Sequence, residues 1–197
     1  MSMKKNEHWA IYRGKWDFEA LHFLKYDQCE LVYSTLEVPD IEELNGEFGG
    51  HVIDLFQPKA LELTEKNGFE FVGKAFKKTE RIKDTEGEGY CIWEKDGKEY
   101  IRNCQFGWRI GPSQIDGQPA VLMDWKCFDE ETSSYFGVDE IRKAGDGLYF
   151  CITVNDKPVD NEPIAGRPNY WIMIKKRADW IGPDEEFQVK EEWKKEQ

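Results

Sequence analysis

Short runs in which apolar and polar residues alternate dominate the chain between residues 47 and 174. Alternation with a period of two is typical of β-strands that bury one face, because successive side chains point to opposite sides of a sheet. Clear strands are predicted over residues 47–56, 69–76, 90–94, 99–110, 119–128, 148–154 and 170–174, and weaker candidates lie at 61–65 and 138–143. The pattern therefore predicts seven to nine strands.

Asn-Gly and Asp-Gly pairs separate many of these runs. They occur at 45–46, 67–68, 96–97, 116–117 and 146–147. Such pairs accept the positive φ that tight hairpin turns require. Their intervals of 20 to 30 residues correspond to about two strands with their connections. Because no long crossover interrupts the series, we expect an all-β, mainly antiparallel fold, namely a closed up-and-down barrel of about eight strands rather than a sandwich.

Helical signals are confined to the ends of the chain. Asp40 and Glu43 form a capping box that predicts a single helical turn. Residues 18–36 are ambiguous, because 20–24 fit a helical face whereas 31–35 resemble a strand. The predicted organisation is an N-terminal extension packed on the barrel (1–39), the barrel (40–177), and an acidic polar C-terminal tail or helix that begins at 178 and includes a polar stretch, 183–197.

Two short motifs resemble those of calycin-type barrels. Gly14-Lys15-Trp16 matches the Gly-x-Trp signature of lipocalins, and residues 43–50 resemble the turn that leads into the first strand of such barrels. The segments 116–125, 139–142 and 147–149 are also similar to small lipocalin-like proteins. Since the regular turns follow residues 43–50, we expect the barrel to begin there. The resemblance implies a β-barrel with a ligand cavity and no particular reaction.

Charge and cysteine content narrow the function further. The net charge of −12 is expected to repel nucleic acid. The chain carries five cysteines without CxxC spacing and no apolar run long enough for a signal peptide or a membrane span. We therefore expect a cytoplasmic protein with buried thiols, no cofactor and no metal, whose partner is a small molecule. The sequence is compatible with a homodimer.

The strand over 98–110 contains an apolar even-numbered face that should point into the barrel. It includes Arg102 between Tyr100 and Cys104, and it continues through Phe106 and Trp108. A buried guanidinium needs a counter-charge. That charge could be a bound carboxylate or phosphate, which the guanidinium fork fits, or an internal carboxylate, Asp124 or Asp54.

Aromatic side chains on separate strands could line a cavity or simply fill a core. The leading hypothesis is a barrel that binds a small, mostly apolar ligand, with or without an acidic group. The predicted ligand-binding residues are Arg102, Tyr100, Phe106, Trp108, Trp93, Trp125, Tyr149 and Trp171.

Two rival functions remain. One is an isomerase or lyase that works in the same cavity, with His51, Asp54 and Asp124 as acid–base groups. His51 is the only histidine within the predicted barrel, and no two histidines have a metal-binding spacing. The other rival is a partner-binding or assembly protein that uses its acidic tail for docking.

Overall fold

Eight antiparallel strands close into a barrel in the computed structural model, which describes residues 16–53, 68–129, 137–154 and 169–195. Each strand pairs with the next along the chain, and the last pairs with the first. The strands are β1 (Gly46–Val52), β2 (Phe69–Lys78), β3 (Gly87–Lys95), β4 (Glu99–Pro112), β5 (Pro119–Asp124), β6 (Val138–Gly145), β7 (Leu148–Val154) and β8 (Asn169–Ala178). The predicted all-β barrel is confirmed, and it begins at the second of the two motifs.

Several strand boundaries differ from the prediction. The strand expected over 119–128 ends at Asp124, where a 3-10 helix, Trp125–Cys127, follows. The weaker candidate at 138–143 is a full strand, β6. The other weaker candidate, 61–65, lies outside the described residues, as do residues 54–56 of the first predicted strand.

Positive backbone φ angles occur where the turn chemistry predicts them. Asp96 and Gly97 have φ of 52° and 67° in the β3–β4 hairpin, and Gly117 and Gly147 have φ of 72° and 60° in the β4–β5 and β6–β7 hairpins. Gly46 also has a positive φ, but it starts β1 instead of joining two paired strands. Local sequence therefore specifies three hairpins directly.

Two short helices precede the barrel. They are α1 (Phe18–His22) and α2 (Tyr26–Tyr33). The strand considered over 31–35 is therefore wrong, because α2 extends to Tyr33. The apolar residues of α2 pack on the outer face of the barrel in a cluster that includes Phe150 and Ile172. This tertiary packing outweighs the preference of residues 31–35 for a strand.

A 3-10 turn over Ile41–Glu43 leads the chain into β1, as the capping box predicts, and Asp40 accepts a hydrogen bond from the backbone N–H of Glu42. The barrel encloses an apolar core that includes Phe48, Phe76 and Met173. Leu44 is buried in this core, with Val38 and Ile41 packed against it. The residues that lead into β1 therefore cover the end of the barrel at which β1 begins.

The C-terminal segment crosses the outside of the barrel instead of forming a helix. Within residues 183–195 the structure has only a 3-10 turn, Glu191–Trp193, so the tail is extended. Trp180 packs on Tyr90, and Val189 packs on Phe128 in a separate outer cluster. None of the helices in the described ranges has the length and apolar character needed to cross a lipid bilayer.

Candidate functional site

A β-bulge in β4 determines which of its side chains face inward. Gly89 pairs with Phe106 but Cys91 pairs with Asn103, so Cys104 and Gln105 together oppose a single residue of β3. Cys104 adopts a φ of 55°, which fits such an irregularity. The extra residue exchanges the two faces of the strand. Even positions face inward only from Cys104 onward, and odd positions face inward before it.

The inward placement predicted for Arg102 is wrong for this reason. Arg102 opposes Ile92, which belongs to an outer cluster with Tyr90 and Trp180. Its Nε atom donates to Glu47 Oε1 at 2.7 Å, and the hydrogen bond and charge of Glu47 raise the pKa of the guanidinium despite partial burial. The counter-charge is thus neither a ligand nor Asp124.

Tyr100 lies on the same outer face and is 41% exposed. Arg177 donates to its hydroxyl at 3.1 Å, and the guanidinium lies over its ring. Tyr100 and Arg102 therefore do not face the interior.

A second bulge, in β2, directs a lysine into the barrel. Phe71 pairs with Trp93 and Gly73 with Ile92, so Val72 is the extra residue. Lys74 then opposes Cys91 and shares the inward face with the core residue Phe76. Its side chain is only 4% exposed.

Lys74 has three kinds of partner inside the barrel. Its Nζ atom lies 3.0 Å from Asp139 Oδ2, and the carboxylate is itself only 6% exposed. The same atom donates to Cys91 Sγ at 3.2 Å. It also lies 4.6 to 5.5 Å from the centroids of four rings that we term the aromatic cage, namely Phe71, Phe106, Trp125 and Trp171.

Electrostatics favour the protonated form of this lysine while Cys91 is reduced. Burial alone lowers the pKa of Lys74, but the charges and hydrogen bonds of Asp139 and Cys91 outweigh burial and raise it. The ring faces contribute further, because the negative face of an aromatic ring attracts a cation. The interior therefore contains a complete ion pair within an apolar core.

Two more polar atoms lie on the same inward surface. Cys91 opposes Asn103, and Trp93 is two residues further along β3, so both side chains share the face of Cys91. Trp93 Nε1 and Asn103 Oδ1 are buried and lack a hydrogen-bond partner within the described part of the chain. Buried polar atoms are almost always satisfied, so an unpaired donor and an unpaired acceptor on the same inward face require an explanation. We term Lys74, Asp139, Cys91, Asn103 and Trp93 the interior polar cluster.

Most of the aromatic residues predicted to bind ligand do face inward. The inward set comprises Trp93, Phe106, Trp108, Trp125, Tyr149 and Trp171. Trp93 and Phe71 are only partly buried, and they lie on the strands near the long connections of the barrel. Trp108 instead lies toward the opposite end, where its indole N–H donates to the backbone oxygen of Glu88 at 3.2 Å. Tyr149 contacts Glu43 at the same end, through its hydroxyl at 3.4 Å from Oε2.

The predicted acid–base groups do not converge. His51 opposes Ile172 of the outer cluster, and its Nε2 atom lies 3.2 Å from Nδ1 of His22 on α1. Asp124 caps the 3-10 helix after β5 by accepting from the backbone N–H of Lys126 at 2.9 Å. Asp54 lies outside the described residues. No set of three metal-ligating side chains occurs in the described ranges.

All five cysteines are buried and none forms a disulfide. Burial raises the pKa of Cys29 and of Cys127 to about 12, with a further contribution from a nearby aspartate in each case. Burial also raises the pKa of Cys151, which lies in the same core as Cys91.

The sequence contains a signal for Lys74 that alternation alone misses. Phe69 and Phe71 are odd-numbered, whereas Phe76 is even-numbered, so one extra residue must lie between them if all three face the core. A bulge near Gly73 places Lys74 on the inward parity. Asp139 shares its parity with Ile141 in β6, which is the corresponding signal on the other side of the barrel.

No family model and no curated protein matches this chain. Among solved structures, the crystal structure of a protein from Thermomonospora curvata is similar, with a TM-score of 0.48 and 14% identity over 78% of this chain and 89% of that chain. A likeness at this level supports no conclusion about function.

Proposed function

We propose that this protein is a calycin-type binding barrel whose interior takes a small, planar, mostly apolar ligand with an acidic end group at the interior polar cluster. The observation that carries the proposal is the buried Lys74–Asp139 pair beside the unpaired atoms of Trp93 and Asn103. Lys74 replaces Arg102 as the polar anchor.

The polar cluster offers complementary hydrogen-bonding groups. An ammonium has three N–H donors, and the contacts with Asp139 and Cys91 use two of them. The indole N–H of Trp93 is a further donor, and Asn103 Oδ1 is an acceptor. A carboxyl group that accepts hydrogen bonds from Lys74 and Trp93 would give the indole N–H a partner, and a buried N–H without one costs free energy.

The apolar part of the ligand would lie among the rings. Phe71 packs edge-on against Trp93 and Trp171, with centroid distances of 5.6 and 5.5 Å. Phe71 and Trp93 are partly buried, whereas Trp171 belongs to the buried core together with Phe76 and Trp108. Aromatic walls with a few convergent polar groups are typical of small-molecule sites.

Two fluorescent probes with the same ring system test the proposal. Anilinonaphthalene sulfonate carries an anionic group, and phenylnaphthylamine lacks it. The double variant Lys74→Met with Asp139→Asn removes both charges of the pair. We expect it to weaken sulfonate binding by about tenfold or more, because a hydrogen bond to a charged group contributes about 1.5–3 kcal/mol. Phenylnaphthylamine affinity should change by less than about twofold.

Arg102→Met is the matched control, because it removes an ion-paired cation from the outside of the barrel wall. It should leave both probe affinities unchanged. Near-ultraviolet circular dichroism verifies native packing, since a molten state binds such probes non-specifically. Equal sulfonate binding by the wild type and the double variant would refute the anchor, and failure of the wild type to bind either probe would refute the apolar site.

The rival functions receive less support. An isomerase or lyase in the same interior could not use His51 or Asp124 as its acid–base groups, because both side chains lie on other surfaces. A docking role for the tail conflicts with its packing on the chain's own barrel, where the backbone N–H of Asp184 donates to Arg102 O at 2.9 Å.

A further inference from the structure

The contact between Lys74 and Cys91 has the geometry of a reactive pair. The two side chains come from neighbouring strands, both are buried, and Nζ lies 3.2 Å from Sγ. Asp139 Oδ2 lies 3.0 Å from the same nitrogen and can accept its proton. We propose that oxidation by a peroxide joins Cys91 and Lys74 through a covalent sulfur–nitrogen cross-link inside the barrel.

The reaction balances in two steps. Peroxide oxidises the Cys91 thiol to a sulfenic acid, and the peroxide is reduced to water. The ammonium of Lys74 passes one proton to Asp139, and the resulting amine attacks the sulfenic sulfur. The sulfur–oxygen bond breaks, a sulfur–nitrogen bond forms, and the oxygen leaves as a second water after taking up the proton from Asp139. The nitrogen, which at this point still carries two hydrogens and a positive charge, then releases one proton to solvent. The product is a sulfenamide that a thiol reductant reverses.

Cys91 is better placed for this reaction than the buried thiols elsewhere. The thiolate is the form of cysteine that peroxide attacks. Lys74 Nζ donates a hydrogen bond to Cys91 Sγ at 3.2 Å, so a nitrogen nucleophile already lies next to this sulfur before it is oxidised.

The cross-link would change the electrostatics of the interior. A sulfenamide nitrogen is neutral at neutral pH, so Asp139 would lose the cation that balances it. An unbalanced buried carboxylate destabilises the surrounding structure. If the ligand site proposed above exists, oxidation would also remove its anchor, so the cross-link would act as a redox control of binding.

Mass spectrometry of the full chain after hydrogen peroxide treatment tests the cross-link. We expect the intact mass to fall by the mass of two hydrogens and to return to its original value after thiol reduction. Fragmentation should show that the peptides containing Lys74 and Cys91 are joined. A joined product that retains one oxygen, formed with a second peroxide, also supports a cross-link at this pair. Lys74→Arg keeps a cation for Asp139 but has no amine for this attack, and Cys91→Ser lacks the sulfur, so both should lose the product. Cys29→Ser, a change on α2, should retain it.

Several outcomes would overturn the cross-link. The same mass loss in Lys74→Arg would indicate a disulfide, because a disulfide also removes two hydrogens. Oxidation of Cys91 that stops at the sulfinic acid, with no joined peptide in the wild type, would show that the amine does not attack. Peptide mapping of the wild type decides the matter even where a variant fails to fold. Probe binding is measured separately, so a cross-link without sulfonate binding would refute the ligand site alone.

Discussion

The Lys74–Asp139 pair allows a sharp prediction about stability. Replacing Lys74 by Met leaves the carboxylate of Asp139 buried without a counter-charge, and Asp139→Leu leaves the ammonium of Lys74 in the same position. Removal of one partner of a buried ion pair typically costs about 3–5 kcal/mol. The double variant that combines Lys74→Met with Asp139→Leu removes both charges of this pair, so we expect its unfolding free energy to lie within about 1 kcal/mol of the wild type.

The two single variants should not be equally destabilised. After Asp139→Leu the ammonium keeps the aromatic cage, whose four ring centroids lie 4.6 to 5.5 Å from Nζ. After Lys74→Met the carboxylate gains nothing from the negative ring faces. A desolvated cation–π contact contributes about 0.5–2 kcal/mol, so we expect Lys74→Met to be the more destabilising change by about 1–2 kcal/mol.

Urea unfolding followed by tryptophan fluorescence measures these differences, provided that the dependence on denaturant is the same for all variants. Lys194→Met is the control, because Lys194 forms an exposed ion pair with Glu191 and its loss should cost at most about 0.5 kcal/mol. Additive costs in the double variant, or a larger cost for Asp139→Leu than for Lys74→Met, would refute the reasoning.

Three further predictions concern the scaffold. A Cβ at Gly73 would lie 2.0 Å from a backbone oxygen of β1, so Gly73→Ala should cost more than about 3 kcal/mol in urea unfolding; Gly117→Ala, with open space and a φ of 72°, should cost about 1 kcal/mol. Burial and the hydrogen bond to Glu47 raise the pKa of Tyr90 from 10.0 to about 12. The contribution of the protonated hydroxyl to stability should therefore be complete below pH 10 and lost as the pH rises toward 12. Alkaline unfolding curves measure this loss, which should be absent from Tyr90→Phe. Asp17→Ala, which removes the cap of α1, should lower stability by about 1 kcal/mol in the same urea assay.

The barrel could be predicted because its signals are local. Three Asp-Gly turns each specify a hairpin. The alternation of apolar and polar residues on both sides of each turn identifies the two strands that pair. Errors occur where tertiary contacts outweigh local preference. Leu31–Tyr33 continue a helix because Val32 and Tyr33 pack on the outer face of the barrel. The tail stays extended because its apolar residues pack in two separate clusters on the same surface.

The polar part of the candidate site was missed because strict alternation assumes an uninterrupted pleat. In β4 the apolar pattern of the sequence is continuous from Tyr100 to Ile110, yet a bulge with a positive φ at Cys104 interrupts it. Neither the sequence of β4 alone nor its composition reveals that break. The register with β3 does, since Gly89 and Cys91 are separated by one residue while their partners are separated by two. Register depends on long-range pairing, so it is not available from local propensity.

The two bulges lie on the two sides of β3, and together they gather the polar groups at one place. The bulge at Val72 brings Lys74 opposite Cys91, and the bulge at Cys104 brings Asn103 opposite the same residue from the other side. A barrel selected only for stability would not need an ion pair at these positions, because a buried ion pair can often be replaced by apolar side chains without loss. Bulges commonly re-aim side chains beside functional sites. Two bulges that place a cation and an amide around the thiol of Cys91 therefore support the proposal of a bound polar group or of reaction at Cys91.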